Sequence, residues 1–70
     1  ITNKEDCELY QVVLKLPVKY RTVIHLYYYE DYSVTQISKM LERKESTVRE
    51  QLTRGRRLLK KYLKGDYDYV

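Results

Sequence analysis

Seventy residues carrying 14 basic and 10 acidic side chains, with a formal charge of +4, make one domain near the small end of what folds on its own core. A single cysteine and a single histidine exclude an internal disulfide and fall short of a zinc ligand set. No apolar run approaches the roughly 20 residues of a membrane span and the first residues do not read as a signal peptide, so a soluble, reducing, cytosolic setting is expected.

Two Gly, one Pro and no run of alternating apolar and polar residues argue against a sheet, and an all-α domain of four helices without a winged element is predicted. The chain begins at Ile1 rather than Met, and a piece of a longer protein is expected. Thr2-Asn-Lys-Glu5 matches a capping box, with Asn3 an equal candidate for the cap. A first helix then runs from about Lys4 to Lys15, with Leu9, Val12, Val13 and Leu16 on one buried face. Pro17 suits the first turn of a second helix, about Pro17 to Tyr29, with Tyr20, Val23, Ile24, Tyr27 and Tyr28 as its periodic set. Ser33-Val-Thr-Gln36 is another capping-box match and opens a third helix with Val34, Ile37, Met40 and Leu41 on its apolar side. A fourth helix follows from about Glu45 to Lys64, where Val48, Leu52, Gly55, Leu59 and Tyr62 recur at helical spacing. Gly65 can end it in a left-handed cap, and residues 65–70 are expected to be a frayed tail.

Charge is unevenly spread along this layout. Residues 1–32 carry four basic and five acidic side chains, whereas residues 43–64 carry nine basic and two acidic ones. Such a skew favours a polyanionic partner, because phosphate neutralisation releases counterions. The bland alternative is a solvated lysine-rich helix face.

Residues 33–63 decide between the two, because they read as a helix-turn-helix. That motif needs a small residue in its first helix, so that the second crosses closely, and a buried aliphatic near the start of the second. Ser38 and Val48 meet both requirements. The turn usually holds a left-handed glycine four positions after the small residue. Glu42 stands there instead; either it adopts that conformation at about 1 kcal/mol or more, or the turn is shaped differently. Arg43 replaces the apolar residue that normally plugs the turn. Rotating by about 100° per residue from Val48 places Ser46, Glu50, Thr53, Arg54, Arg57 and Lys61 on the side away from the core. The beginning of the second helix penetrates a major groove deepest, so Arg49 or Arg54 can pair with guanine and Glu50 can accept from a cytosine amine. Lys44, Ser46 and Thr47 sit where helix N–H groups and side chains meet a phosphate.

The segments Leu16-Pro-Val-Lys-Tyr-Arg-Thr-Val-Ile, Tyr28-Tyr-Glu-Asp-Tyr-Ser33, Ile37 to Leu41 and Thr47-Val-Arg-Glu-Gln-Leu-Thr-Arg-Gly-Arg57, in that order and spacing, resemble region 4 of sigma-70 factors, specifically the extracytoplasmic-function group. The resemblance covers about Leu9 to Leu63. It implies a four-helix domain that recognises the minus-35 element of double-stranded promoter DNA and docks on the beta flap of RNA polymerase core; an anti-sigma factor is a further candidate partner. Carried over by position, Arg49, Glu50, Thr53 and Arg54 face bases, and Arg21, Lys44, Ser46 and Thr47 are phosphate candidates; Arg57, on the outward side of the helix, is a further one. Two other readings compete: a response-regulator or quorum-type helix-turn-helix that binds palindromes as a dimer, and a helical protein-interaction module without a DNA role.

Nine tyrosines at helical spacing are more often core than a stacking platform. Tyr20, Tyr27 or Tyr28, and Tyr62 are expected inside with their hydroxyls reaching water; Tyr29 and Tyr32 are candidates for an apolar patch serving a protein partner. His25 has no second histidine and no evident acid partner, and it reads as an ordinary helix residue. Cys7 lies between Asp6 and Glu8, which disfavour a thiolate. Gly-rich phosphate loops, metal-ligand clusters and nucleophile arrangements are absent from the sequence, so no enzyme, catalytic residue, metal, cofactor, small-molecule substrate or membrane association is expected.

Overall fold

The computed structural model describes residues 4–64, with side chains from Leu9 onward. The N-terminal capping box, the Cys7 side chain, the Gly65 cap and the 65–70 tail lie outside that description. Four helices follow one another: α1 over Lys4–Val13, α2 over Val18–Ile24, α3 over Val34–Leu41 and α4 over Glu45–Leu63. No strand occurs among the described residues, nor is any of these helices long and apolar enough to cross a membrane.

Helix α1 ends two residues earlier than its periodicity predicts. Lys15 and Leu16 donate to the carbonyls of Val12 and Val13 at 3.0 and 3.1 Å, a tightening to three-residue turns before a proline that disfavours helical geometry in its predecessor. Pro17 is the N-cap rather than the first helical residue, and its carbonyl accepts from Tyr20 and Arg21.

The second predicted helix is realised as two kinds of turn. After Ile24 the chain widens into a π-helical turn over His25–Tyr29, closed by the Glu30 N–H on the His25 carbonyl at 3.2 Å. Across this turn Tyr28 stands 47% exposed, while Leu26 and Tyr27 pack against the core. Ring contacts accompany the change. Tyr27 meets Tyr28 edge-on at 4.9 Å, His25 stacks on Tyr29 at 5.5 Å, and Tyr10 of α1 meets Tyr29 edge-on at 5.5 Å. His25 also finds an acid partner that the linear sequence does not reveal, with Nε2 at 3.3 Å from the Glu30 carboxylate. Asp31 then turns the chain with φ 60°, and the Tyr32 N–H closes on the Leu26 carbonyl. Tyr32 packs against the core instead of joining the exposed patch at Tyr29.

One core joins all four helices: Val12, Val13, Leu16, Val23, Ile24, Ile37, Val48, Leu52 and Tyr62 are buried. Helix α4 crosses α2 at Gly55, where a Cβ would lie 3.0 Å from Ile24 Cγ1 and 3.4 Å from Tyr20 Cβ. Burial therefore explains a glycine in the middle of a helix, where it costs about 1 kcal/mol relative to alanine. In α3 only Ile37 is buried, with Val34 and Leu41 half-buried and Met40 50% exposed. At about 100° per residue, Val34 and Leu41 fall to one side of Ile37 and Met40 to the other, which removes Met40 from the predicted apolar face.

Candidate nucleic-acid interface

Helix α3 starts with the predicted capping box: Ser33 Oγ accepts from the Gln36 N–H at 3.1 Å, and Gln36 Oε1 accepts from the Ser33 N–H at 2.8 Å. It ends at Glu42, whose backbone takes φ 55° and ψ 48°. Glu42 thus adopts the left-handed conformation, and the turn keeps its usual shape without glycine. Ser38 organises this turn. Its carbonyl accepts from the N–H groups of Glu42 and Arg43, and its hydroxyl donates to the Arg43 carbonyl at 2.5 Å. Arg43 then occupies the place of the missing aliphatic plug by reaching across to α4, donating Nη1 to Gln51 Oε1 at 2.8 Å. The Glu42→Gly variant is expected to gain about 0.5–1 kcal/mol, because relief of left-handed strain exceeds the added freedom of the unfolded chain. A urea midpoint that stays or falls would show that the Glu42 backbone is unstrained.

Helix α4 opens at Lys44, an N-cap with φ −65° and ψ 148° and no side-chain cap. The first-turn N–H groups therefore keep their capacity for an anion, beside exposed Lys44 and Ser46 and half-buried Thr47. Val48, Leu52, Gly55 and Tyr62 form the buried side of α4; Glu50, Thr53, Arg54 and Arg57 are exposed, as rotation from Val48 predicts, and Arg49, at the flank of that stripe, is exposed as well. Arg49 and Thr53 make one row at four-residue spacing, with Glu50 and Arg54 in the next. Acidic partners hold both arginines: Arg49 Nη2 lies 3.0 Å from Glu45 Oε1, and Arg54 Nη2 lies 3.2 Å from Glu50 Oε2. Glu45, unnoticed in the sequence except as the start of a helix, also accepts at Oε2 from Thr35 Oγ1 of α3 at 3.0 Å.

The remaining phosphate candidates lie on other elements or farther along α4. Arg21, on α2, is half-buried and donates Nη1 to the Leu14 carbonyl at 3.0 Å, tying down the connection from α1. Arg57, with Thr53, borders a second surface feature, an apolar groove bounded by α1, the end of α2 with its π-helical turn, and α4 from Thr53 onward. Tyr10, Tyr29, Leu59 and Leu63 line that groove, and Arg56 and Lys60 border it. Arg56 was not singled out by sequence; its Nη1 donates to Tyr28 Oη at 2.8 Å, a contact across 28 positions that no local pattern encodes.

Comparison with known proteins gives this geometry a lineage. The family model described as Sigma-70, region 4 matches residues 8–59. The chain is 44% identical over 54 residues to the ECF RNA polymerase sigma factor SigW of Bacillus subtilis (strain 168). That alignment takes in 77% of this chain and 29% of the relative. No solved structure gives a significant match. With the family match spanning the turn, the exposed rows of α4 and all of the core but Tyr62, the chain belongs to the sigma-70 region 4 family, a family of sigma-factor DNA-binding domains, and is similar to its extracytoplasmic-function type.

Proposed function

We propose that this domain reads the minus-35 element of promoter DNA for an alternative sigma factor and docks on RNA polymerase core, acting in the cytoplasm by binding and without turnover. The observation that carries the reading is the exposed set Arg49, Glu50, Thr53 and Arg54 in the N-terminal half of α4, on a helix whose opposite side is anchored by Val48, Leu52 and Gly55. In a major groove these four face base edges, while Lys44, Ser46, Thr47, Arg57 and Arg21 take phosphates. The groove lined by Tyr10, Tyr29 and Leu63 is the surface we assign to the polymerase beta flap. Its large apolar side chains are 39%, 41% and 55% exposed, and an anti-sigma factor would compete there.

The test is binding to duplex DNA selected from a random library. A single asymmetric element is expected; a palindrome would favour the dimeric response-regulator type of reader. Affinity should fall on the order of 0.9 log unit per log unit of salt for each phosphate neutralised, and affinity indifferent to ionic strength would overturn the DNA reading. Lys44→Ala is expected to weaken preferred and scrambled duplexes alike and to reduce the salt slope by about one.

A further inference from the structure

We propose that Thr35 and Glu45 are positioning residues that aim Arg49, and that they act on sequence discrimination rather than on gross DNA affinity. The inference rests on the DNA-reading function proposed above. Its observation is a chain of three side chains crossing the helix-turn-helix: Thr35 Oγ1 donates to Glu45 Oε2 at 3.0 Å, and Arg49 Nη2 donates to Glu45 Oε1 at 3.0 Å. Both carboxylate oxygens are engaged, one from α3 and one from α4.

An exposed ion pair between residues four apart contributes little to stability by itself, and Arg49 is exposed over 62% of its side chain. The link to Thr35 changes what the pair can do. Glu45 is held from another helix, so the guanidinium takes its direction from the packing of α3 on α4 and not from α4 alone. The Glu50–Arg54 pair, by contrast, is made within α4. A guanidinium that recognises guanine through two parallel hydrogen bonds must present its edge in one plane. Ordering it before binding lowers the entropy lost when it meets the correct base. Phosphate contact gains little from such aiming, since attraction to a phosphate tolerates many orientations. A carboxylate placed on the cationic side of α4 opposes general DNA affinity, so the arrangement favours selectivity at the expense of non-specific binding. The plain alternative is that Glu45, an acidic residue in the first turn, only complements the helix dipole. That role does not involve the Thr35 hydroxyl.

The test uses the 70-residue chain and two fluorescent duplexes, its library-selected sequence and a scramble of the same composition, at one ionic strength. Thr35→Val removes the hydroxyl while keeping the shape. It is expected to lower the ratio of selected to scrambled affinity by about three- to tenfold, with affinity for the scramble and thermal unfolding unchanged. Thr35→Ser, which keeps the hydroxyl, should restore the ratio. In an Arg49→Ala background, Thr35→Val should have no further effect on it. A selected-to-scrambled ratio unchanged by Thr35→Val overturns the aiming role and leaves the DNA-reading function standing. An equal loss on both duplexes, or an undiminished effect in Arg49→Ala, overturns the aiming role as well. A wild-type chain that selects no sequence overturns both.

Discussion

Replacing Ile37 by Ala is expected to cost about 2–5 kcal/mol, the range for truncating a fully buried aliphatic side chain. Ile37 is the buried residue of α3 and has no exposed surface, so its loss leaves a cavity between α3 and the rest of the core. A domain of 70 residues has roughly 4–10 kcal/mol of stability at 0.05–0.15 kcal/mol per residue. The variant should therefore be partly or wholly unfolded near 37 °C, and DNA binding should fail with it. Urea unfolding followed by far-ultraviolet circular dichroism measures the effect, with Met40→Ala on the same helix as a reference expected within about 0.5 kcal/mol of wild type. A loss below about 1 kcal/mol for Ile37→Ala would mean that the capping box and turn seat α3 without its buried side chain.

Arg54→Ala is expected to cost about 1–3 kcal/mol on the selected duplex and to relax preference at one base pair, as removal of a bidentate base contact does. The Glu50–Arg54 contact of 3.2 Å complicates the single substitution, because Glu50 is then left facing the DNA without its cation. Arg54→Ala with Glu50→Gln removes that repulsion and isolates the guanidinium. Binding to the selected and scrambled duplexes, compared at fixed salt, separates the roles. Loss of equal size on both would reduce Arg54 to a phosphate contact.

Much of this was legible in the chain because helices are local objects. The Ser33–Gln36 box, the start of α4 at Glu45 and the buried series Val48, Leu52 and Gly55 follow from spacing and capping chemistry, and all are observed. Exposure of Glu50, Thr53, Arg54 and Arg57 followed from rotation about the same helix. Departures occur where local preference is weak or countered. Met40 shares the apolar spacing of α3 but lies to the far side of Ile37, and of the pair Tyr27 and Tyr28 it is Tyr27 that packs against the core while Tyr28 stands exposed. Nor can a helical period anticipate the π-helical turn over His25–Tyr29, since the period is what changes there.

The candidate site divides in the same way. Glu45 and Arg49 stand four apart on one helix, a pairing spacing alone permits, whereas Thr35 reaches Glu45 only because α3 packs on α4. Likewise, Arg43 was visible as a departure from the expected turn residue, but its bond to Gln51 is a property of the assembled motif. By itself the sequence determined that this is an all-helical domain with a cationic second half and a helix-turn-helix whose outward residues include Glu50, Thr53, Arg54 and Arg57. Tertiary structure alone decided that Glu42 takes the left-handed turn, that α2 gives way to a π-helical turn, and that an α3 hydroxyl engages the carboxylate beside Arg49. The physical reason is range: capping, helical period and charge act within a few residues, while turn strain and side-chain aim are settled by which helices meet and at what angle.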